Sequence, residues 1–238
     1  MARLGGRAET IAIDRPGWDG TSPASDLEGN ARAAVAALDA RGVERAIIVG
    51  HSLGGAVAAW LAAVRPERVA ALVLAAPAAN VASLYPLDRW LTAPVAGEVV
   101  GGLTMAGAGL VLAVPGLRRR VARATRLDEA YLGTVRQAAF RPGAWRAFAT
   151  EQRMLVRDLP ALEARLGAIT APTTIVSGAS DRVVPPRAVR ELTRQIGGAR
   201  LLVSASAGHL LPQSDPDLLA DAIVSALSAR RPSTVGDG

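Results

Sequence analysis

Four stretches of the chain are continuously apolar rather than alternating: 45–50 (RAIIVG), 69–76 (VAALVLAA), 173–178 (TTIVSG) and 199–205 (ARLLVSA). A fifth, shorter β-rich stretch, 10–14 (TIAID), ends in the turn-rich run RPGWDGTS. Unbroken apolar runs of this length read as strands buried on both faces, the habit of a parallel sheet. Between them the period changes. Residues 26–41 carry Ala34, Val35 and Leu38 at helical spacing, with Asp26 as N-cap and Gly42 past the end. Helices also follow at 53–64, ahead of Pro66, at 186–196 and at 216–229. Strand and helix thus alternate, which predicts an α/β fold: a mostly parallel sheet with helices on both faces.

The rhythm is interrupted once. Residues 80–165 hold no strand-like run and read as helical, with turns at Pro94, Pro115, Pro142 and Pro160. The expected organisation is a core from 1–79 and 166–230, a helical cap inserted at 80–165, and a disordered tail at 231–238. Within the cap, 99–117 has no charged residue and is followed by Arg118, Arg119 and Arg120. Five glycines and a proline argue against a membrane-spanning helix there, so the segment is expected to be buried or to line a pocket. Trp90 and Trp145 fit an apolar cap interior, and Arg118, Arg119, Arg120, Arg123 and Arg126 read as a solvated helix face.

Composition narrows the chemistry. The 238 residues include no cysteine, which excludes disulfides, thiolate nucleophiles and cysteine metal sites. His51 and His209 are the only histidines, too few for a histidine-rich metal centre. All 27 basic residues are arginine and are interleaved with carboxylates, giving a net charge of +6 without a basic stripe, so no nucleic-acid partner is expected. The first residues have no apolar signal core, and the cytoplasm is the default location. No cofactor and no metal are expected.

The strand at 45–50 runs into Gly50-His51-Ser52-Leu53-Gly54, a G-x-S-x-G turn leading into a helix. Such a turn projects a serine hydroxyl alone from a strained backbone, with flanking glycines where side chains would collide with the neighbouring strand and helix. It also sets the serine at a helix N-terminus, where the Leu53 N–H can meet a developing oxyanion. Without lysine a Walker loop is excluded, and serine at 52 breaks the dinucleotide pattern G-x-G-x-x-G. A serine nucleophile needs a base, and the base needs an orienting acid. His51 is expected to point away from its neighbour on the turn. His209, just past the last strand, is the base, and Asp181, three residues past the strand TTIVSG, is the acid. Asp14 lies on the wrong side of Ser52 to face His209.

The chain order Ser52, Asp181, His209 resembles that of the α/β-hydrolase fold superfamily. DRPGWDGTS, VGHSLGGAVAAWLAAVRPERVAALVLAAPA, SGASDRVVPP and AGHLLPQSDPDLLADAI resemble its segments in the same order. The resemblance implies a serine hydrolase with a helical cap, acting on an ester, thioester, lactone or carbon–carbon bond of a small, apolar carbonyl substrate. The superfamily also places a strand and an H-G-x-x-G-like loop ahead of its first long helix, and that loop donates a second oxyanion hydrogen bond. No such pair precedes Ser52 here. The expectation is therefore a short form of low activity or stability, its parent a hydrolase. The alternative is a catalytically silent protein that binds a small molecule or partner.

Overall fold

The computed structural model describes residues 4, 6–18, 21–86, 88, 93–125, 127–141 and 143–229. Trp90, Arg126, Pro142 and the tail at 231–238 lie outside the described residues. Four strands form one parallel sheet in chain order: β1 (Ala46–His51), β2 (Val69–Ala75), β3 (Thr173–Gly178) and β4 (Arg200–Ser204). Helix α1 (Leu27–Asp39) precedes β1, and α2 (Leu53–Val64) links β1 to β2. Between β2 and β3 come α3 (Pro94–Ala113), α4 (Pro115–Thr125), α5 (Glu129–Ala139) and α6 (Ala144–Glu163). Helix α7 (Pro186–Gln195) joins β3 to β4, and the short α8 (Leu211–Ser214) and α9 (Pro216–Ser228) close the chain.

Right-handed crossovers between neighbours in an ordered parallel sheet put successive helices on the same face. Helices α2 and α7 accordingly share one side, packing Leu61 and Leu192 with Leu72, Leu74 and Ile175. Alternate strand positions, Val73, Ala75 and Val176, point to the other side and meet Leu211 and Ala222 of α8 and α9. Every residue of β2 is buried, which accounts for the unbroken apolar run seen in the sequence. The N-cap of α1 is Asp26, whose carboxylate accepts from Gly29 N–H at 2.8 Å, and Val35 and Leu38 face inward.

Two sequence expectations are corrected. Residues 10–14 form no strand. Among the described residues the strand paired with β1 is β2, and residues 10–14 join no ladder, which a strand requires. Both edge strands expose a valine: Val49 of β1 is 45% exposed and Val203 of β4 56%. Pro160 does not end a helix but sits inside α6, in its last turn. A proline there removes one hydrogen bond, and Leu155, Leu159 and Leu162, all buried on either side of it, hold the helix through.

The turn-rich run after residue 14 is tied to the helical insertion by one ion pair. Arg15 Nε donates to Glu151 Oε1 at 2.7 Å and its terminal nitrogen to Oε2 at 3.0 Å. Glu151 is 3% exposed and Arg15 35%, so the two partners are not equivalent. Removing Arg15 strands a buried carboxylate, whereas removing Glu151 releases a cation that already reaches solvent. Arg15→Ala is expected to destabilise the fold by about 3 kcal/mol, near the lower limit for a broken buried pair because water screens one partner. Glu151→Gln should cost markedly less. Urea unfolding midpoints of the two variants check the asymmetry.

Candidate active site

The turn from β1 into α2 is built as its sequence demands. Ser52 has φ 54° and ψ −121°, a region side-chain-bearing residues rarely enter. Its backbone is held on both sides: Ser52 N–H donates to the Ala75 carbonyl at 3.0 Å, and its own carbonyl accepts from Gly55 N–H at 2.8 Å and Ala78 N–H at 3.1 Å. Gly50 is required by close approach, since a Cβ there would collide with the Gly54 carbonyl and lie 2.8 Å from Ala58 Cβ. Gly54 is not: a Cβ at that position meets open space, which corrects the expectation that both glycines of the motif are crowded. Leu53 is the first residue of α2, so its N–H belongs to the turn that lacks intrahelical acceptors.

Residues 52, 181 and 209, far apart in the chain, meet at the carboxyl ends of β1, β3 and β4. Ser52 Oγ lies 2.9 Å from His209 Nε2, and His209 Nδ1 lies 3.0 Å from Asp181 Oδ2. The Asp181 side chain is fully buried, and its Oδ1 accepts from Val183 N–H at 2.8 Å and Val184 N–H at 2.9 Å. Those two donors fix the carboxylate plane and leave Oδ2 to face the imidazole. A carboxylate can only accept, so Nδ1 carries the hydrogen and Nε2 presents its lone pair to the serine hydroxyl. That is the tautomer in which a hydroxyl can lose its proton to the ring.

Three residues given no role in the sequence reading, His51, Gly178 and Ser204, support this geometry. His51 is mostly buried, and its Nε2 lies 2.8 Å from the His209 carbonyl oxygen. Because a carbonyl cannot donate, His51 Nε2 is the protonated nitrogen. Residues 51 and 52 therefore hold residue 209 at two points, its carbonyl and its ring. Burial pushes His51 below the ordinary histidine value of 6.5, outweighing the bond to the carbonyl that favours its charged form. Gly178, at the end of β3, admits the loop that carries His209: a Cβ there would lie 2.5 Å from the carbonyl oxygens of Ala207 and Gly208. Ser204, at the end of β4, accepts from Ala207 N–H at 3.1 Å and donates to Asp215 Oδ2 at 2.6 Å, bracing both ends of that loop. The one available signal was position: each stands at or next to the carboxyl end of a strand.

Two cavities of about 300 and 390 Å³ lie elsewhere, one lined by Met105, Phe140 and Trp145 and the other by Val35, Trp60 and Arg165. Among the described residues no group of three His, Asp or Glu side chains is placed to hold a metal ion.

A serine hydroxyl, an imidazole and a buried carboxylate thus stand in line on a strained turn beyond a parallel sheet. The model of the alpha/beta hydrolase fold family matches residues 2–216, and the chain belongs to that family. It is 30% identical over 212 residues to the pimeloyl-[acyl-carrier protein] methyl ester esterase of Neisseria meningitidis, covering 88% of this chain and 79% of that one. It is 32% identical over 184 residues to the 2-hydroxymuconate semialdehyde hydrolase of Pseudomonas putida, covering 74% of this chain and 60% of that one. Among solved structures, a hydrolase from Pseudomonas aeruginosa superposes with a TM-score of 0.68 at 28% identity, covering 87% of this chain and 74% of the other. The chain is an enzyme of the α/β-hydrolase group.

Proposed function

We propose that the protein hydrolyses an ester of a small, apolar carboxylic acid through an acyl-enzyme on Ser52. The observation that carries this reading is the unbroken line Ser52 Oγ, His209 Nε2, His209 Nδ1, Asp181 Oδ2, with 2.9 and 3.0 Å between hydrogen-bonding partners. Ser52 Oγ attacks the carbonyl carbon as His209 Nε2 takes its proton. The oxyanion that forms lies at the N-terminus of α2, where Leu53 N–H donates to it. Asp181 stabilises the imidazolium and keeps its orientation. Collapse breaks the bond to the alkoxy group, which leaves with the proton from His209. Water then attacks the acyl carbon, His209 taking its proton and returning it to Ser52 as the acid departs. The relatives' names, a pimeloyl-[acyl-carrier protein] methyl ester esterase and a 2-hydroxymuconate semialdehyde hydrolase, favour a carbonyl substrate. Leu53 N–H is the one oxyanion donor assigned among the described residues.

Substrate class is tested with p-nitrophenyl esters of increasing acyl length, measuring kcat/KM for each. The reading expects hydrolysis that is best for short chains. Absence of turnover on every ester, with the fold intact by circular dichroism, overturns it.

His51 acts in this scheme as a positioning residue. Gln can present an amide N–H where His51 presents Nε2–H, so His51→Gln is expected to keep most activity. His51→Ala leaves the His209 carbonyl without that donor and is expected to lower kcat about tenfold with KM little changed, the value of roughly one hydrogen bond. Stability carries a second signature. The folded His51 binds its proton less readily than the unfolded one, so its contribution is complete above pH 6.5 and is lost as pH falls below that value. The melting temperature of the native protein should decline more steeply on the acid side of pH 6.5 than that of His51→Gln.

A further inference from the structure

The segment 99–117 is neither buried nor pocket-lining as a whole, contrary to the sequence expectation. One side of α3 packs on α5 and α6: Gly101 rests against Ala149, Gly109 against the Phe140 ring, and Leu112 is buried. The other side faces water. Val99 is 55% exposed, Leu103 69% and Leu110 62%, and their spacing of four and seven residues sets them in one row on a helix. Val100 and Val111 of the same helix, and Val114 at its end, are also exposed. No charged side chain interrupts residues 99–117. A contiguous apolar area of this kind on a soluble domain marks a contact surface.

What lies at its end points to the partner. Helix α4 leaves α3 at 102° and carries Arg119, Arg120 and Arg123, all exposed and with no ion-pair partner among the described residues. We infer that the α3–α4 corner docks on an anionic phospholipid surface, the apolar row of α3 entering the headgroup–acyl boundary while the guanidinium groups of α4 engage lipid phosphates. Arginine suits both halves of that contact: its stem covers apolar surface and its planar fork matches phosphate oxygens. Among the described residues no single helix is long and apolar enough to cross a bilayer, and the right-angle turn fits a helix pair lying on the surface. A second copy fits less well, because two chains of net charge +6 repel. A nucleic acid would leave the charge-free row of α3 unused.

The test is sedimentation of the full chain with vesicles of phosphatidylcholine, with and without phosphatidylserine, a binding readout independent of any turnover. Binding is expected only with phosphatidylserine and is expected to weaken as salt rises. Each arginine near an anionic surface is worth a factor of about five, so Arg119→Gln/Arg120→Gln/Arg123→Gln should weaken binding on the order of 100-fold. Leu103→Asp/Leu110→Asp should abolish it, with an unchanged melting temperature. Failure of the native chain to bind, or equal binding by the Asp variant, overturns the proposal. So does a dimer in sedimentation velocity that the Asp variant dissolves while vesicles remain bare.

Discussion

Ser52→Ala is expected to lower the turnover of an activated ester on the order of 10⁶-fold, the scale of losing a triad nucleophile. The fold should not suffer. The Ser52 hydroxyl hydrogen-bonds the His209 ring, and the turn is fixed by backbone bonds to Ala75, Gly55 and Ala78 that alanine keeps. Alanine keeps the strain as well, since φ stays at 54°. Ser52→Gly relieves it and is expected to be more stable than Ser52→Ala by about 1 kcal/mol. Both variants should be inactive, so a measured gain in unfolding free energy for the glycine variant separates stored strain from lost chemistry. Equal stabilities would show that the turn holds no such strain.

Asp181→Asn is the second large effect. The asparagine carbonyl can still accept from Val183 and Val184 N–H, so the loop after β3 keeps its anchor. The amide nitrogen then faces His209 where Oδ2 stood. It donates to Nδ1 and forces the hydrogen onto Nε2, which turns the imidazole from acceptor to donor toward Ser52. Turnover is expected to fall about 10⁴-fold with little change in KM. Circular dichroism and the melting curve should match the native protein. A loss of less than tenfold would mean that Asp181 does not set the tautomer.

Much of this site was legible because strands of a parallel sheet deliver their chemistry at one edge. The runs RAIIVG, TTIVSG and ARLLVSA each end within a few residues of Ser52, Asp181 or His209, so reading past each strand end was enough to bring the three together. Other features depend on what lies across from a residue, which periodicity does not carry. TIAID has strand-like composition, yet among the described residues it joins no ladder of the sheet. The charge-free run 99–117 reads as buried or pocket-lining, yet α3, packed against α5 and α6 on one side, leaves Val99, Leu103 and Leu110 exposed. His51 was set aside because its ring turns away from Ser52. That same orientation carries its Nε2 to the carbonyl of His209.

In the proposed reaction Ser52 forms the covalent intermediate. Intact-mass measurement and peptide mapping after brief exposure to p-nitrophenyl acetate or a fluorophosphonate probe it directly. One acetyl or phosphonyl group per chain is expected, located on the peptide carrying Ser52, with no adduct in Ser52→Ala and strongly slowed labelling in Asp181→Asn. A label on another residue, or no label on a folded native chain, would contradict it and favour a protein that binds in its cleft without catalysing.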